Sequence, residues 1–470
     1  MKIRLIEPEP PGMHVYAKIL LPRLGLPIIA ATLKQHGHDV LVYNPTFAPV
    51  DWDDVGSSDL VGISSTTSTA TTAYGFADEL RAKGMPVVIG GSHVTFMADE
   101  ALEHVDYVAR GEGGEQLMLE LLEALAGHRE LESIAGLSFR RDGLAVHNQP
   151  RAALADLDEL PFPDLRLLVG SDKLTTMPIM TSWGCPFDCT FCSVTAMFGK
   201  KYRFRSAESV IAEIKDKRPQ RIFFYDDNMA ANRKRLKKLL QMMIDEGLVI
   251  PWSAQVRTDV VRDPELLDLM RRSGCQLVYL GLESVNQETL DKFEKAQTVA
   301  DIERAIKVLH EYGIKSHGMF VLGADSDDVQ TVRDTVAFAI KNKIDTVMLN
   351  ILTPLPGTQQ FEEFDAAGRI FDKRWELYDA HHAVFEPARM TPYELQIEVL
   401  RGYMRFYSLR TWLRYIFTMQ FTKQLLFHWW GMVIIRNWRK DERNKAFIKA
   451  LKRMWPRPTP RGTLRRAGVD

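Results

Sequence analysis

The sequence predicts an α/β protein: an N-terminal doubly wound, Rossmann-like unit, a partial parallel β/α barrel, and a helical C-terminal region. Two observations carry this. Short apolar runs alternate with helix-period stretches over about the first 130 residues, and the same alternation recurs six times between about 170 and 390. A third bounds the domain count, since 470 residues exceed one ordinary hydrophobic core. Beyond about residue 391 the alternation gives way to aromatics set among basic residues.

In the first unit, strands are expected at Ile3–Ile6, Val40–Tyr43, Leu60–Ser64, Val87–Ile89 and Tyr107–Ala109, with helices at Leu26–His36, Thr71–Arg81 and Glu115–Ala126. Sheets of this kind bind ligands beyond the carboxyl ends of their strands. Those ends carry Ser64-Ser65-Thr66, then Gly90-Gly91-Ser92-His93 with Thr95, then Gly111-Glu112. Glycine lets a backbone approach a large flat ligand, and hydroxyls bond its polar side groups. Helix N-caps explain Ser, Thr and Gly at such turns equally well.

Residues 136–148 read as a hairpin turning at Arg141-Asp142-Gly143, and the Pro161-Phe162-Pro163 stretch reads as a fixed linker. This places a first domain at 1–150, a linker at 151–169, a barrel at 170–390, a helical region at 391–455 and a disordered tail at 456–470. Barrel strands are expected at Pro178–Ser182, Arg221–Tyr225, Ser253–Val256, Leu277–Gly281, Lys315–Leu322 and Thr346–Ile351. Chemistry in such barrels sits at the strands' carboxyl ends. Tyr225-Asp226-Asp227-Asn228, Arg257, Glu283-Ser284 and Gly323 fall there. Arg257 suits a carboxylate, and Glu283 with Ser284 suits ribose hydroxyls. Strand-end turns that cap the next helix are the bland alternative. The Thr353–Thr358 loop, rigid with two prolines, is expected to line a substrate cavity.

Cys185, Cys189 and Cys192 are three of the chain's four cysteines, spaced C-x3-C-x2-C after an apolar run. Three neighbouring thiols cannot all pair as disulfides, but they can converge on a soft metal centre. A [4Fe–4S] cluster usually takes four cysteines, so three leave one iron open for chemistry. Zinc would need a fourth ligand close by, and Cys275 is far downstream. Cys275 is expected to be a buried hydrophobe just before a strand.

This triad, with the aromatic Phe191 before its last cysteine, resembles the cluster motif of the radical S-adenosylmethionine (radical SAM) enzymes. The resemblance implies S-adenosylmethionine on the open iron, cleaved by the reduced cluster to a 5′-deoxyadenosyl radical that abstracts hydrogen. It implies a partial (β/α)6 barrel, contacts from Tyr225–Asn228 to the S-adenosylmethionine amino group, and a reductant such as flavodoxin or ferredoxin. Leu24-Gly25, Gly90-Gly91-x-His93-x-Thr95 and Gly111-Glu112 resemble the cobalamin-binding domain of one large subfamily. The D-x-H-x-x-G motif that supplies a cobalt-ligating histidine elsewhere is absent, which implies a corrinoid held without a protein imidazole. Methylthiotransferases are disfavoured, because no cysteine precedes Cys185.

The formal net charge of −1 hides an asymmetry. From Arg401 onward there are 17 Lys/Arg against three acids. Trp412, Trp429, Trp430, Trp438 and Trp455 lie among them. Three readings stay open: an anionic membrane surface or lipid-like substrate, a helical cap with solvated charges, and, least favoured, single-stranded RNA. Four cysteines without paired spacing, and a first run without signal-peptide shape, predict a cytoplasmic protein, peripheral at the inner membrane face under the first reading. Two function classes follow: an enzyme modifying an unactivated carbon, by C-methylation of a hydrophobic metabolite or by ring closure or oxidation, or a non-catalytic corrinoid or iron–sulfur carrier. An open iron favours the enzyme, since a carrier does not need one.

Overall fold

The structure is a computed structural model that describes residues 1–12, 20–413 and 421–456. The expected tail beyond Pro456 lies outside the described residues, as do Tyr415, Ile416 and Phe417. Two sheets organise the chain. The first runs β2-β1-β3-β4-β5-β6-β7. Its strands are β1 (Lys2–Ile6), β2 (Asp39–Tyr43), β3 (Leu60–Ser64), β4 (Val87–Gly90), β5 (Tyr107–Ala109), β6 (Leu137–Arg141) and β7 (Leu144–His147). β1 to β5 are mutually parallel, as the apolar runs separated by helices require. β6 and β7 are the expected hairpin, added antiparallel to β5. Asp142 and Gly143 both take positive φ, 51° and 80°, as a two-residue hairpin turn demands.

The second sheet runs β15-β14-β13-β12-β11-β8, all parallel. It comprises β8 (Met177–Ile179), β11 (Ile222–Phe224), β12 (Trp252–Val256), β13 (Cys275–Glu283), β14 (Lys315–Leu322) and β15 (Thr346–Ile351), and is the open six-stranded form of a parallel barrel. The helices Ala207–Lys217, Arg233–Asp245, Pro264–Ser273, Val299–Glu311 and Val329–Lys341 lie between its strands, each turning a buried apolar face to the main core. Asp263 and Thr298 cap two of them by accepting backbone N–H bonds.

Two expectations need correcting. The run Pro178–Ser182 is not one strand. β8 stops at Ile179, and a separate two-residue β9 (Ser182–Trp183) pairs antiparallel with β10 (Arg203–Phe204). The cause is Asp226, whose buried carboxylate accepts the backbone N–H of Thr181 (2.7 Å) and Ser182 (2.8 Å), taking them out of the barrel ladder. β13 starts earlier than expected, at Cys275, which is buried within the strand and not before it.

The C-terminal helices tie the two sheets together. The helix Glu442–Met454 buries Phe447 and Leu451 in a core shared with the first sheet and with Trp375 and Tyr378. Buried His382 bonds Asp379 (2.9 Å) and Asn444 (3.0 Å), joining that helix to the chain after β15. Among the described residues, no helix is long and apolar enough to cross a membrane.

Candidate active site

The cysteine loop leaves β9 and returns through β10. It can do so because Gly184 has φ +79°, and a Cβ there would lie 2.3 Å from the Lys201 carbonyl oxygen. Within the loop Cys192 N–H donates to Cys189 O (3.0 Å), and the Thr195 hydroxyl donates to Phe187 O (3.1 Å). All three cysteines are half-buried. Burial raises each thiol above its ordinary range, Cys192 to about 11, while Lys295 and Arg257 oppose the shift at Cys185 and Cys189. The free thiols are therefore neutral, and ligation by iron is what would deprotonate them.

Beneath the loop is an anchor that sequence reasoning placed elsewhere. Asp226 was expected to meet S-adenosylmethionine; it is wholly buried and spent on Thr181 and Ser182. Arg235 backs it, donating to the Thr181 hydroxyl (2.7 Å) and carbonyl (2.9 Å). Asp227, the next residue, faces the other way, into a cavity. Burial first, and the Asp226 charge second, push its carboxyl up to about 6, against a backbone N–H from Gly184.

A second group surrounds the loop with charge. Arg257 lies over the Phe187 ring at 3.7 Å from its centroid and donates to the Lys295 carbonyl. Lys295 Nζ bonds Glu283 Oε1 at 2.5 Å across Gly281, where a Cβ would come within 2.8 Å of that nitrogen. Glu283 sits at φ +60° where β13 bulges against β14, a strained conformation for a carboxylate residue. Ser284 is buried, and its hydroxyl accepts from Asn286 N–H, a turn role. Gly323 packs against Leu395, its φ of +103° and a 2.6 Å clash for any Cβ marking a packing constraint. Phe191 packs on Phe293 at 4.6 Å. Lys295 escaped sequence reasoning because it lies in the loop after the helix Gln287–Lys292, with no motif around it.

The cavity, about 370 Å³, lies between the two sheets, in the range of small-molecule sites. Of the residues expected to hold a corrinoid, Leu24, Gly25, Ser64, Gly90, Gly91, Gly111 and Glu112 line it. Met180, Trp183, Met197 and Phe198 close its barrel side beside the cysteine loop, together with Tyr225 and Asp227. Ser65, Thr66, Ser92, His93 and Thr95 are not in its wall. Thr66 caps a turn with Thr69, and Thr95 bonds Gly91 O and Gly111 N–H. His93 is buried, its Nε2 3.3 Å from Glu100 and its ring 5.0 Å from Trp375. Glu112 reaches the wall, but its carboxylate is taken by Arg203 in a two-point ion pair, 2.6 Å on each arm, joining the first sheet's loop to β10. The Thr353–Thr358 loop does not line this cavity. Gly357 is pressed against Phe96, and Gln360 N–H, just past the loop, donates to Thr190 O (3.2 Å), fastening the cysteine loop to the Ser92–Phe96 helix.

The residues present fit the groups this arrangement implies. Cβ atoms built on Gly25 and Gly111 meet nothing within 4 Å, so both offer bare backbone to the cavity, and no histidine is among its described lining residues. Near the loop, buried Arg257 Nε, 4.0 Å from Asp259, and buried Asn228 Oδ1 make no hydrogen bond within the protein, a donor and an acceptor of the kind an amino-acid moiety takes. Among the described residues no three His, Cys, Asp or Glu side chains converge on a single ion.

Family comparison agrees. The model described as the radical SAM superfamily matches residues 179–339, and the B12 binding domain model matches 15–119. An uncharacterized methyltransferase of Pyrococcus horikoshii is 32% identical over 405 residues, covering 82% of this chain and 88% of that protein. Bacteriochlorophyllide d C-12(1)-methyltransferase of Chlorobaculum tepidum is 30% identical, covering 77% and 78%. Among solved structures, TsrM from Kitasatospora setae with cobalamin and a [4Fe–4S] cluster superposes with TM-score 0.62 at 19% identity, over 78% of this chain and 75% of that one. The cobalamin-dependent radical enzyme OxsB, with aqua-cobalamin and S-adenosylmethionine bound, gives 0.70 at 14%, over 96% and 75%. These structural likenesses show the fold. The cofactors are a [4Fe–4S] cluster, S-adenosylmethionine and cobalamin, and the chain belongs to the radical SAM enzymes that carry a B12-binding domain.

Proposed function

We propose that this enzyme C-methylates an unactivated carbon of a hydrophobic, lipid-like metabolite. The observation that carries the reading is the cavity itself, glycine-lined from the first sheet and walled by Met180, Trp183, Met197 and Phe198 beside the cysteine loop. When bound, the cluster and S-adenosylmethionine supply a hydrogen-abstracting radical, and cobalamin supplies a transferable methyl group. Everything else falls to the protein. Cys185, Cys189 and Cys192 hold the cluster. Arg257 and Asn228 hold the methionine end of S-adenosylmethionine, with Glu283 and Ser284 toward the ribose, and Tyr225 and Asp227 face the cavity. Lys295, paired with Glu283, keeps a cation beside the thiolates and holds that carboxylate in place. The glycine loops receive the corrinoid through backbone, and the apolar wall excludes water from the radical's path. Residues 1–150 form the corrinoid unit and 170–390 the radical unit of this reading. A flavodoxin- or ferredoxin-type donor supplies the electron.

Relatives support a hydrophobic substrate without naming one. Hopanoid C-3 methylase of Methylococcus capsulatus is 26% identical and covers 85% of this chain and 79% of its own length. Anaerobic magnesium-protoporphyrin IX monomethyl ester cyclase of Rubrivivax gelatinosus is 31% identical over 70% of this chain and 62% of that protein, which keeps ring closure as the second reading. The deciding experiment incubates reconstituted enzyme, reductant and methyl-labelled S-adenosylmethionine with lipid extract from the host, followed by mass spectrometry. Methylation predicts a lipid that gains a labelled methyl group. Formation of 5′-deoxyadenosine with loss of hydrogen and no label would establish cyclisation or oxidation instead.

A further inference from the structure

The C-terminal region divides sharply between buried and exposed aromatics. Tyr403, Phe406 and Tyr407 are buried against the barrel and Trp438 beside His382, but Leu409, Leu413, Leu425, Phe427, Trp429 and Trp430 are between 40% and 59% exposed. Elsewhere among the described residues exposed large apolar side chains such as Trp52, Leu144, Phe204 and Val249 are scattered singly, as on any surface; these six fall within 22 residues. The division follows helical geometry. In the helix Phe421–Lys440, His428, Ile435 and Trp438 are buried, and a Cβ on Gly431 would strike the Tyr407 ring at 2.5 Å, so these four positions form the inward stripe. Trp429 and Trp430 fall on the far side, 6.3 Å apart and perpendicular.

Charge says what covers this face. Between Glu398 and Asp441 the sequence has no acidic residue, yet it has Arg405, Arg410, Arg436, Arg439 and Lys440, all exposed. A second copy of the chain meeting this face about a two-fold axis would set cations against cations. RNA would stack its bases on Phe427, Trp429, Trp430 and the guanidinium planes but would leave Leu409, Leu413 and Leu425 without a partner. Aliphatic side chains and tryptophans flanked by cations suit the headgroup boundary of an anionic bilayer. We propose that Leu409–Leu413 and the outer face of Phe421–Lys440 form a docking surface for anionic lipid membranes. This inference stands apart from the proposed reaction, since a membrane-docked enzyme could act on any substrate.

The test is co-sedimentation of the full-length chain with phosphatidylcholine vesicles, with and without phosphatidylglycerol. Binding is expected only with phosphatidylglycerol, and it should weaken at high salt because screening shortens electrostatic reach. The exposed pair Trp429→Ala/Trp430→Ala should lower vesicle partitioning at least about tenfold, and Arg436→Gln/Arg439→Gln by about tenfold, with thermal unfolding unchanged in both. Three outcomes would overturn it: wild-type protein staying in the supernatant at low salt, unchanged binding by both variants, or a dimer in solution that Trp429→Ala/Trp430→Ala converts to monomer. Salt-sensitive binding of single-stranded RNA in place of vesicles would reassign the surface.

Discussion

The two cofactor regions are built on opposite principles. The first sheet presents glycine and backbone to an open cavity, and several charged residues of its wall are spent within the protein: Glu112 is engaged by Arg203, Arg23 by Glu7 and Arg110 by the Asn148 carbonyl. The cysteine loop is crowded with committed charge, from Arg257 over Phe187 to the Lys295–Glu283 pair and the Asp226 anchor. A large neutral ring system needs room and amide contacts. An iron cluster that must accept an electron and hold an amino acid needs fixed cations and thiolates. On the proposed reading one site works by shape, the other by charge.

Removing the charged side should abolish chemistry outright. Cys185→Ala/Cys189→Ala/Cys192→Ala should lose the iron absorbance of anaerobically reconstituted protein and all 5′-deoxyadenosine, yet still retain cobalamin, because no cysteine lines the cavity. Loss of iron from Cys275→Ala would contradict this. Next in size is the tie between the regions. Arg203→Ala leaves Glu112 buried without its partner, which should cost about 3–5 kcal/mol in urea unfolding, and Arg203→Met/Glu112→Gln should recover part of it. A smaller loss is expected on the shape side. Gly91→Ala, at φ +121° with a Cβ 2.2 Å from Ser65 O, should destabilise by about 1–3 kcal/mol and release cobalamin while iron content stays normal.

The smallest effect is a pH dependence on the border between them. Asp227 holds its proton up to about pH 6 in the folded chain, whereas an unfolded aspartate loses it near about 4. The folded state therefore binds more protons in that window, and stability falls as pH rises through it and stays reduced above. In iron-free protein, Asp227→Asn should be more stable than wild type above pH 6 by on the order of 1 kcal/mol, and the gap should close near about pH 4. A gap that persists undiminished at low pH would point to packing and not to ionisation.

The same division explains what could be read from the sequence. Local patterns were legible: the strands β3, β14 and β15, the hairpin at Asp142-Gly143 and the compact cysteine triad all follow from periodicity and spacing. So were glycines at strand ends. Contacts across long sequence separations were not. Arg203 meets Glu112, Lys295 meets Glu283 around a bulge, and Asp226 reaches back to split the β8 run, and none of these is encoded in local pattern. The strand-end carboxylates show the limit well. Asp226 and Asp227 are adjacent and chemically identical, yet one is a structural anchor and the other faces the cavity, because side chains alternate along an extended chain. In the C-terminal region composition could not separate Trp438, which is buried beside His382, from Trp429 and Trp430, which are not; only the packing of the helix does that.

We propose that cobalamin is held by shape alone, in the cavity beside the cysteine loop. The most direct test is the electron paramagnetic resonance spectrum of protein loaded with hydroxocobalamin and reduced by one electron at cobalt. A base-off spectrum without nitrogen splitting, unchanged in His93→Ala, is expected. Nitrogen splitting that His93→Ala abolishes, or protein that retains no corrinoid at all, would contradict it.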